Sequence, residues 1–247
     1  MMPPKVDAFR TTDVLKGQQA MPQGSFLQHL PVASWSLLVS AWGSDARVYE
    51  RDEELPLGPD GQHVYIVLGG CVRQERFPCG THKDAPKITR FRGVGQMLGE
   101  AKLITPRESV RTFCLTTTWV MPCPVGRLNL LLTQHPEIQL SLLRSLEDRI
   151  RGDELIYSTA TRTPLQRVGG LLLHLADTAG TPTPATPGHT TILGPSQRDL
   201  ADALMMGVST VENAIGRLRR THGVITSKYR QFVVTDRFGL RDIAMSA

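Results

Sequence analysis

Along the chain the spacing of apolar positions changes period twice. Residues 26–42 place apolar side chains at helical spacing and predict one short helix. From Ala46 to Met121 the apolar segments shorten and alternate, so residues 47–49, 63–68, 71–77, 87–91 and 112–121 each read as a strand. Turn formers lie between them, including Gly58-Pro59-Asp60-Gly61, Gly69-Gly70 and Pro78-Cys79-Gly80. Closely spaced strands punctuated in this way predict an antiparallel roll or barrel. Residues 1–24 keep no period and read as a flexible leader.

From Val125 to Asp177 the period becomes 3.6. Leu143, Leu146, Ile150, Asp153 and Tyr157 step by 3, 4, 3 and 4 along a helix that starts near Pro136. So narrow a seam wants a partner helix, which points to a homodimer. The alternative is that the stripe packs on the chain's own β-rich region. A second helix begins at a capping box, Thr163 with Gln166, and has Pro164 at its first position, where the missing N–H costs nothing. Leu165, Val168, Leu171, Leu172 and Leu175 share one side of it. Pro182, Pro184 and Pro187 among Thr and Ala make residues 178–194 read as a loop.

Two more capping boxes follow, Ser196 with Asp199 and Ser209 with Glu212, separated by a turn that holds Gly207. In the second helix Val211, Ala214, Ile215 and Leu218 fill one face. Ser209, Asn213, Gly216 and Arg220 are left pointing outward, with Glu212 and Arg217 on the flanks. That is the arrangement of a recognition helix: polar N-terminal residues for base edges and arginines for phosphates. Val224-Ile225, Lys228-Tyr229-Arg230 and Phe232-Val233-Val234 then read as a β-hairpin with a basic tip, the wing of a winged helix. The DNA-binding set read from this unit is Ser209, Thr210, Glu212, Asn213, Arg217, Arg220, Lys228 and Arg230. Segmentation is then a leader at 1–24, a β-roll sensor domain at 25–134, a long dimerisation helix at 135–160 and a winged helix-turn-helix at 161–247, an α+β chain.

Charge sharpens this picture only locally. The 247 residues carry 28 Lys and Arg against 23 Asp and Glu, a net +5. That is a weak pointer to a polyanionic partner. The acid-free stretch between Asn213 and Thr235, which holds Arg217, Arg219, Arg220, Lys228 and Arg230, is the stronger one. No apolar run has the ~18 residues of a membrane helix, and the expected location is the cytoplasm. Cys71, Cys79, Cys114 and Cys123 lack C-x-x-C spacing, so neither a zinc clip nor a redox pair is indicated. A metal oxygenase on the β-roll would need an H-x-H cluster, whereas His63 and His82 stand alone, and an enzyme is not expected. A sensor or scaffold that binds protein partners and has lost sequence-specific DNA binding is the competing class.

In this order the roll, the long helix, the capped helix, the helix-turn-helix and the wing resemble the Crp/Fnr family of the cyclic-AMP receptor protein. Four stretches carry the likeness: residues 63–73 (HVYIVLGGCVR), 94–100 (VGQMLGE), 196–218 and 223–243. The resemblance implies a cyclic-nucleotide-binding-like jelly roll, a homodimer on double-stranded DNA, and RNA polymerase as a further partner. It places the effector site at Gly99 and Glu100, the acid that in the family binds the ribose 2′-hydroxyl. The family's phosphate-binding arginine-serine pair aligns with Glu108-Ser109, so a cyclic nucleotide (cAMP or cGMP) requires Arg107 or Arg111 to supply the cation beside Ser109. The family's base-reading arginine-glutamate pair is also absent. Capping logic starts the recognition helix at Ser209, whereas an ungapped alignment puts Val208-Ser209 at that pair.

Overall fold

A computed structural model describes residues 24–58, 60–77, 87–105, 110–157, 161–183 and 186–246. It divides into two compact units, Met1–Arg149 and Ile150–Ala247.

In the first unit the predicted helix over 26–42 is two helices, α1 (Phe26–His29) and α2 (Val32–Trp42). The chain stays extended at Leu30 and Pro31, and Pro31 serves as N-cap of α2. Seven strands follow: β1 (Arg47–Tyr49), β2 (His63–Gly69), β3 (Val72–Arg76), β4 (Ile88–Arg92), β5 (Met97–Leu98), β6 (Val110–Cys114) and β7 (Thr118–Pro124). They form two antiparallel sheets, β1-β7-β2-β5 and β4-β3-β6. The segment read as one strand over 112–121 is therefore two strands in different sheets. An apolar run cannot reveal that break, because both halves are buried and only the partners differ. The two-residue β5 also escaped the period reading, being shorter than one alternation.

Strand β2 is buried on both faces, which is why it reads as a nearly continuous apolar run. Val64, Ile66 and Leu68 point into a core with Trp35, Leu38, Met121 and Leu128. Tyr65 and Val67 point the other way, into a core with Val72, Cys114, Leu98 and Val120 between the sheets. The turn into β3 needs Gly70 (φ 90°), where an added Cβ would come 2.7 Å from the Thr117 carbonyl oxygen. Helices α3 (Val125–Gln134) and α4 (Pro136–Tyr157) come next. At 22 residues α4 is about 33 Å long. Leu128, Leu132, Ile138 and Leu142 pack from them onto the first core.

The second unit holds α5 (Pro164–Thr178), α6 (Gln197–Leu204), α7 (Val208–Arg220) and α8 (Arg237–Met245). It also holds a sheet of order β10-β11-β9-β8, built from β8 (Thr181–Pro182), β9 (Thr190–Leu193), β10 (Ile225–Lys228) and β11 (Gln231–Val234). The stretch 178–194, read as a loop, thus supplies two strands, and β9 pairs antiparallel with β11 and buries Ile192 completely. Pro182 is the last residue of β8, and the β-branched run Thr190-Thr191-Ile192 does the pairing. Val168, Leu171, Leu172 and Leu175 of α5 are buried as the apolar stripe predicts.

Two of the three predicted capping boxes form. Thr163 accepts from Gln166 N while the Gln166 side chain accepts from the Thr163 N–H at 2.7 Å. Ser196 Oγ accepts from Asp199 N at 3.2 Å, and Asp199 Oδ2 accepts from Ser196 N at 2.8 Å. Replacing Ser196 with Ala should lower stability by about 1–2 kcal/mol. Chemical denaturation would check this, and no change would mean that water caps α6 equally well.

Candidate nucleic-acid interface and effector site

The third capping box is absent. Helix α7 starts at Val208, with Gly207 in extended conformation as N-cap and no side-chain cap bond. The amides of Thr210 and Val211 donate to the Gly207 carbonyl, which already winds the first turn, so Ser209 lies inside the helix as its second residue. Glycine tolerates an N-cap position almost as well as a hydroxyl residue does. The turn is therefore the three residues 205–207. It opens with Met205 in the left-handed region (φ 51°, ψ 51°), where its amide donates to Ala201 and Asp202 and closes α6.

Val211, Ala214, Ile215 and Leu218 bury the inner face of α7. Ser209, Glu212, Asn213, Arg217 and Arg220 are exposed, and Thr210 is half-buried. Arg217, Arg219 and Arg220 lie in the last turn, where the negative end of the helix dipole favours them. On the wing, β10 and β11 pair from Ile225↔Val234 to Lys228↔Gln231, leaving Tyr229 and Arg230 as a two-residue tip. Lys228 is exposed, whereas Arg230 is half-buried at φ 51°, its guanidinium 5.9 Å from the Tyr229 ring centroid. Tyr229 itself is 86% exposed. Two residues of this surface were missed by sequence reading. Val208 is 40% exposed, and a cap at Ser209 would leave it outside the helix. Tyr229 was counted only as part of a basic tip, although an aromatic residue at a hairpin tip has no core to enter.

In the first unit Gly99 takes a left-handed conformation (φ 76°), and an added Cβ would collide with Leu57 Cδ2. It opens a 3-10 helix, Glu100–Leu103. The Glu100 carboxylate is engaged: its Oε1 forms a largely buried ion pair with Arg149 of α4. Arg149 also donates to the Met97 carbonyl at 3.5 Å. In the residue before it, Asp148 Oδ2 lies 2.6 Å from His29 Nε2 of α1. Lys102 is buried with its ammonium donating to the carbonyls of Gly58 and Gly61 at 2.5 and 2.6 Å, and burial pushes its pKa down. Arg111 is held by Glu54 in a two-bond fork at 3.0 and 2.9 Å. That hydrogen bond holds the Glu54 carboxyl below its ordinary range and raises Arg111. Arg107 and Ser109, like Glu108, His82 and Cys79, lie outside the described residues. Nothing local pointed to Arg149, because its partner is 49 residues away.

Cys71, Cys114 and Cys123 are buried and unbridged. Burial pushes the Cys114 thiol up to about 11 and the Cys123 thiol up to about 12, which leaves both as poor nucleophiles. Among the described residues no group of three or more His, Cys, Asp or Glu side chains could hold a metal ion. No helix among them is long and apolar enough to cross a membrane.

Residues 166–243 match the model of a Crp-like helix-turn-helix domain. The chain is 26% identical over 175 residues to the global nitrogen regulator of Synechocystis sp., covering 69% of this chain and 76% of that protein. It is 24% identical over 218 residues to the nitrogen fixation regulation protein FixK of Azorhizobium caulinodans, covering 83% and 80%. Among solved structures it shares its fold with a Crp/Fnr-family transcriptional regulator from Thermus thermophilus, at TM-score 0.61 and 24% identity over 81% of this chain and 98% of that one. FixK2 from Bradyrhizobium japonicum is similar at TM-score 0.63 and 23% identity, covering 82% and 98%.

Proposed function

We propose that this chain is a transcription regulator of the Crp/Fnr type that works in the cytoplasm as a homodimer placing two copies of α7 in one face of a DNA duplex, about 34 Å apart. The observation that carries this reading is the division of α7 into a buried apolar face and an exposed polar one beside the wing. Arg217 and Lys228 supply phosphate contacts, while Ser209 and Asn213 face base edges, Asn213 being suited to adenine. Without the arginine-glutamate pair, the family's usual half-site is not its target.

Selection from a random duplex pool tests this. Recovery of the family's standard palindrome would overturn the specificity. Duplex affinity that is absent or insensitive to salt would instead favour a scaffold that no longer recognises a sequence.

The dimer contact is proposed on α4. Leu143 and Ile150 of the predicted seam are 55% and 54% exposed, whereas Leu146 packs on the first core and Tyr157 is buried. The exposed stripe is instead Leu140, Leu143, Glu147, Ile150 and Glu154, which keeps the 3, 4, 3, 4 step one helix face over. Replacing Leu143 and Ile150 together with Lys should turn a dimer into a monomer in sedimentation and abolish cooperative occupation of a symmetric site. A wild type that sediments as a monomer would refute the contact.

The effector site is proposed to be closed to cyclic nucleotides. This is supported by Glu100 being occupied by Arg149 and Arg111 by Glu54. Calorimetry with cAMP and with cGMP should be silent, and saturable binding of either would overturn this part.

A further inference from the structure

On α7 the outward stripe runs Ser209, Asn213, Gly216 and Arg220, yet Gly216 is buried. What covers it is Arg220: a Cβ added at 216 would lie 2.7 Å from Arg220 Nη2, 3.3 Å from Cζ and 3.4 Å from Nη1. Three atoms of one guanidinium at such similar distances mean that the group lies along the helix surface rather than extending away from it. Its donors therefore sit about one turn, ~5.4 Å, toward the helix N-terminus from the Arg220 backbone, the direction in which helical side chains lean. Among the described residues no hydrogen bond or ion pair engages that guanidinium.

We propose that Arg220 reads a guanine from the groove-facing side of α7 and that Gly216 is the positioning residue which makes room for it. The proposal rests on the reading that this face of α7 meets DNA. An arginine that only touches phosphate gains nothing from lying on the helix, since the phosphates flank the groove that the helix enters. A guanidinium held flat beside the turn that carries Asn213 presents its fork where base edges are, and the fork matches the O6 and N7 acceptors of guanine. Glycine is, after proline, the least favourable residue in a helix interior. Here it occupies the middle of the outward face, where an added Cβ would displace the Arg220 guanidinium.

The test compares full-length wild type with Arg220→Ala, Gly216→Ala and Arg217→Ala on duplexes taken from random-pool selection, over a range of salt. Arg220→Ala should lose ~5- to ~150-fold of its preference for guanine at one position of each half-site, with the salt slope unchanged. Gly216→Ala should lose the same preference while its melting temperature rises by about 2–4 °C, because alanine favours the helix. Arg217→Ala should keep every base preference and lose about 0.9 of slope. A drop of about 0.9 in slope for Arg220→Ala with all preferences intact would make it a phosphate contact and overturn the proposal. A Gly216→Ala protein that retains the guanine preference would overturn the positioning role. If the wild type selects no sequence at all, the reading of α7 as the DNA-facing helix fails, and this proposal with it.

Discussion

Replacing Glu100 with Ala should destabilise the first unit by about 3 kcal/mol, the lower end of what removing one partner from a buried ion pair costs. The Glu100 and Arg149 side chains are only 11% and 16% exposed, so water would solvate the orphaned guanidinium only in part. The remaining contact, Arg149 to the Met97 carbonyl, is long at 3.5 Å and too weak to compensate. Glu100 Oε2 is buried without a hydrogen-bond partner among the described residues, so the pair is not a fully satisfied network. Replacing both members with apolar residues, Glu100→Leu with Arg149→Met, should therefore come within about 1 kcal/mol of the wild type or exceed it. Urea unfolding of the full chain distinguishes the two variants. A single substitution costing less than about 1 kcal/mol would mean that the pair is solvated after all.

Replacing Arg217 and Lys228 together with Ala should flatten the dependence of duplex affinity on salt by about 1.8 log units per log unit, twice the ~0.9 expected for each neutralised phosphate. Extrapolated from a reference at about 1 M, that amounts to a loss of about 60-fold in affinity at about 0.1 M salt. Both residues are exposed, Arg217 on α7 and Lys228 at the end of β10, so the change leaves the cores of the second unit intact. Thermal unfolding should be unaffected within about 0.5 kcal/mol, as for other surface changes. A slope that falls by only one contact's worth would remove one of the two from the interface. An unchanged slope would remove both.

Arg230 is left out of that pair because of what the fold does to it. The sequence placed it in a basic tip with Lys228, but the two-residue turn holds it at φ 51° and half-buried, over the Tyr229 ring. Of the two tip residues it is Arg230, not Tyr229, that takes the positive φ this turn needs. Its charge is thereby less available than its place in the sequence implies, and the exposed Tyr229 is what the wing presents first.

Much of the architecture is legible in the chain because it is local. The caps at Thr163 and Ser196, the four inward residues of α7 and the two-sided apolar run of β2 each depend on neighbours within a few positions. A local pattern fails where two local solutions compete. Ser209 and Gly207 could both begin α7, and the winding of its first turn onto the Gly207 carbonyl decided for Gly207. The seam of α4 failed similarly: two stripes one face apart share the same 3, 4 step, and only the surface that α4 packs on tells which stripe is left outside.

By itself, then, the sequence determined the longer helices and most strands, that the roll is antiparallel, and that a helix with an apolar inner and a cationic outer face lies near the C-terminus. Those follow from period, capping and composition, which act over one or two turns of chain. The tertiary structure alone decided which charged side chains are engaged by the protein itself. Glu100 meets Arg149 and Arg111 meets Glu54 across 49 and 57 residues, and Arg220 folds onto Gly216. No spacing rule reaches the two long-range pairs, because such partners are set by how whole elements pack. The third lies within one turn, yet it depends on a side-chain conformation that the order of residues leaves open.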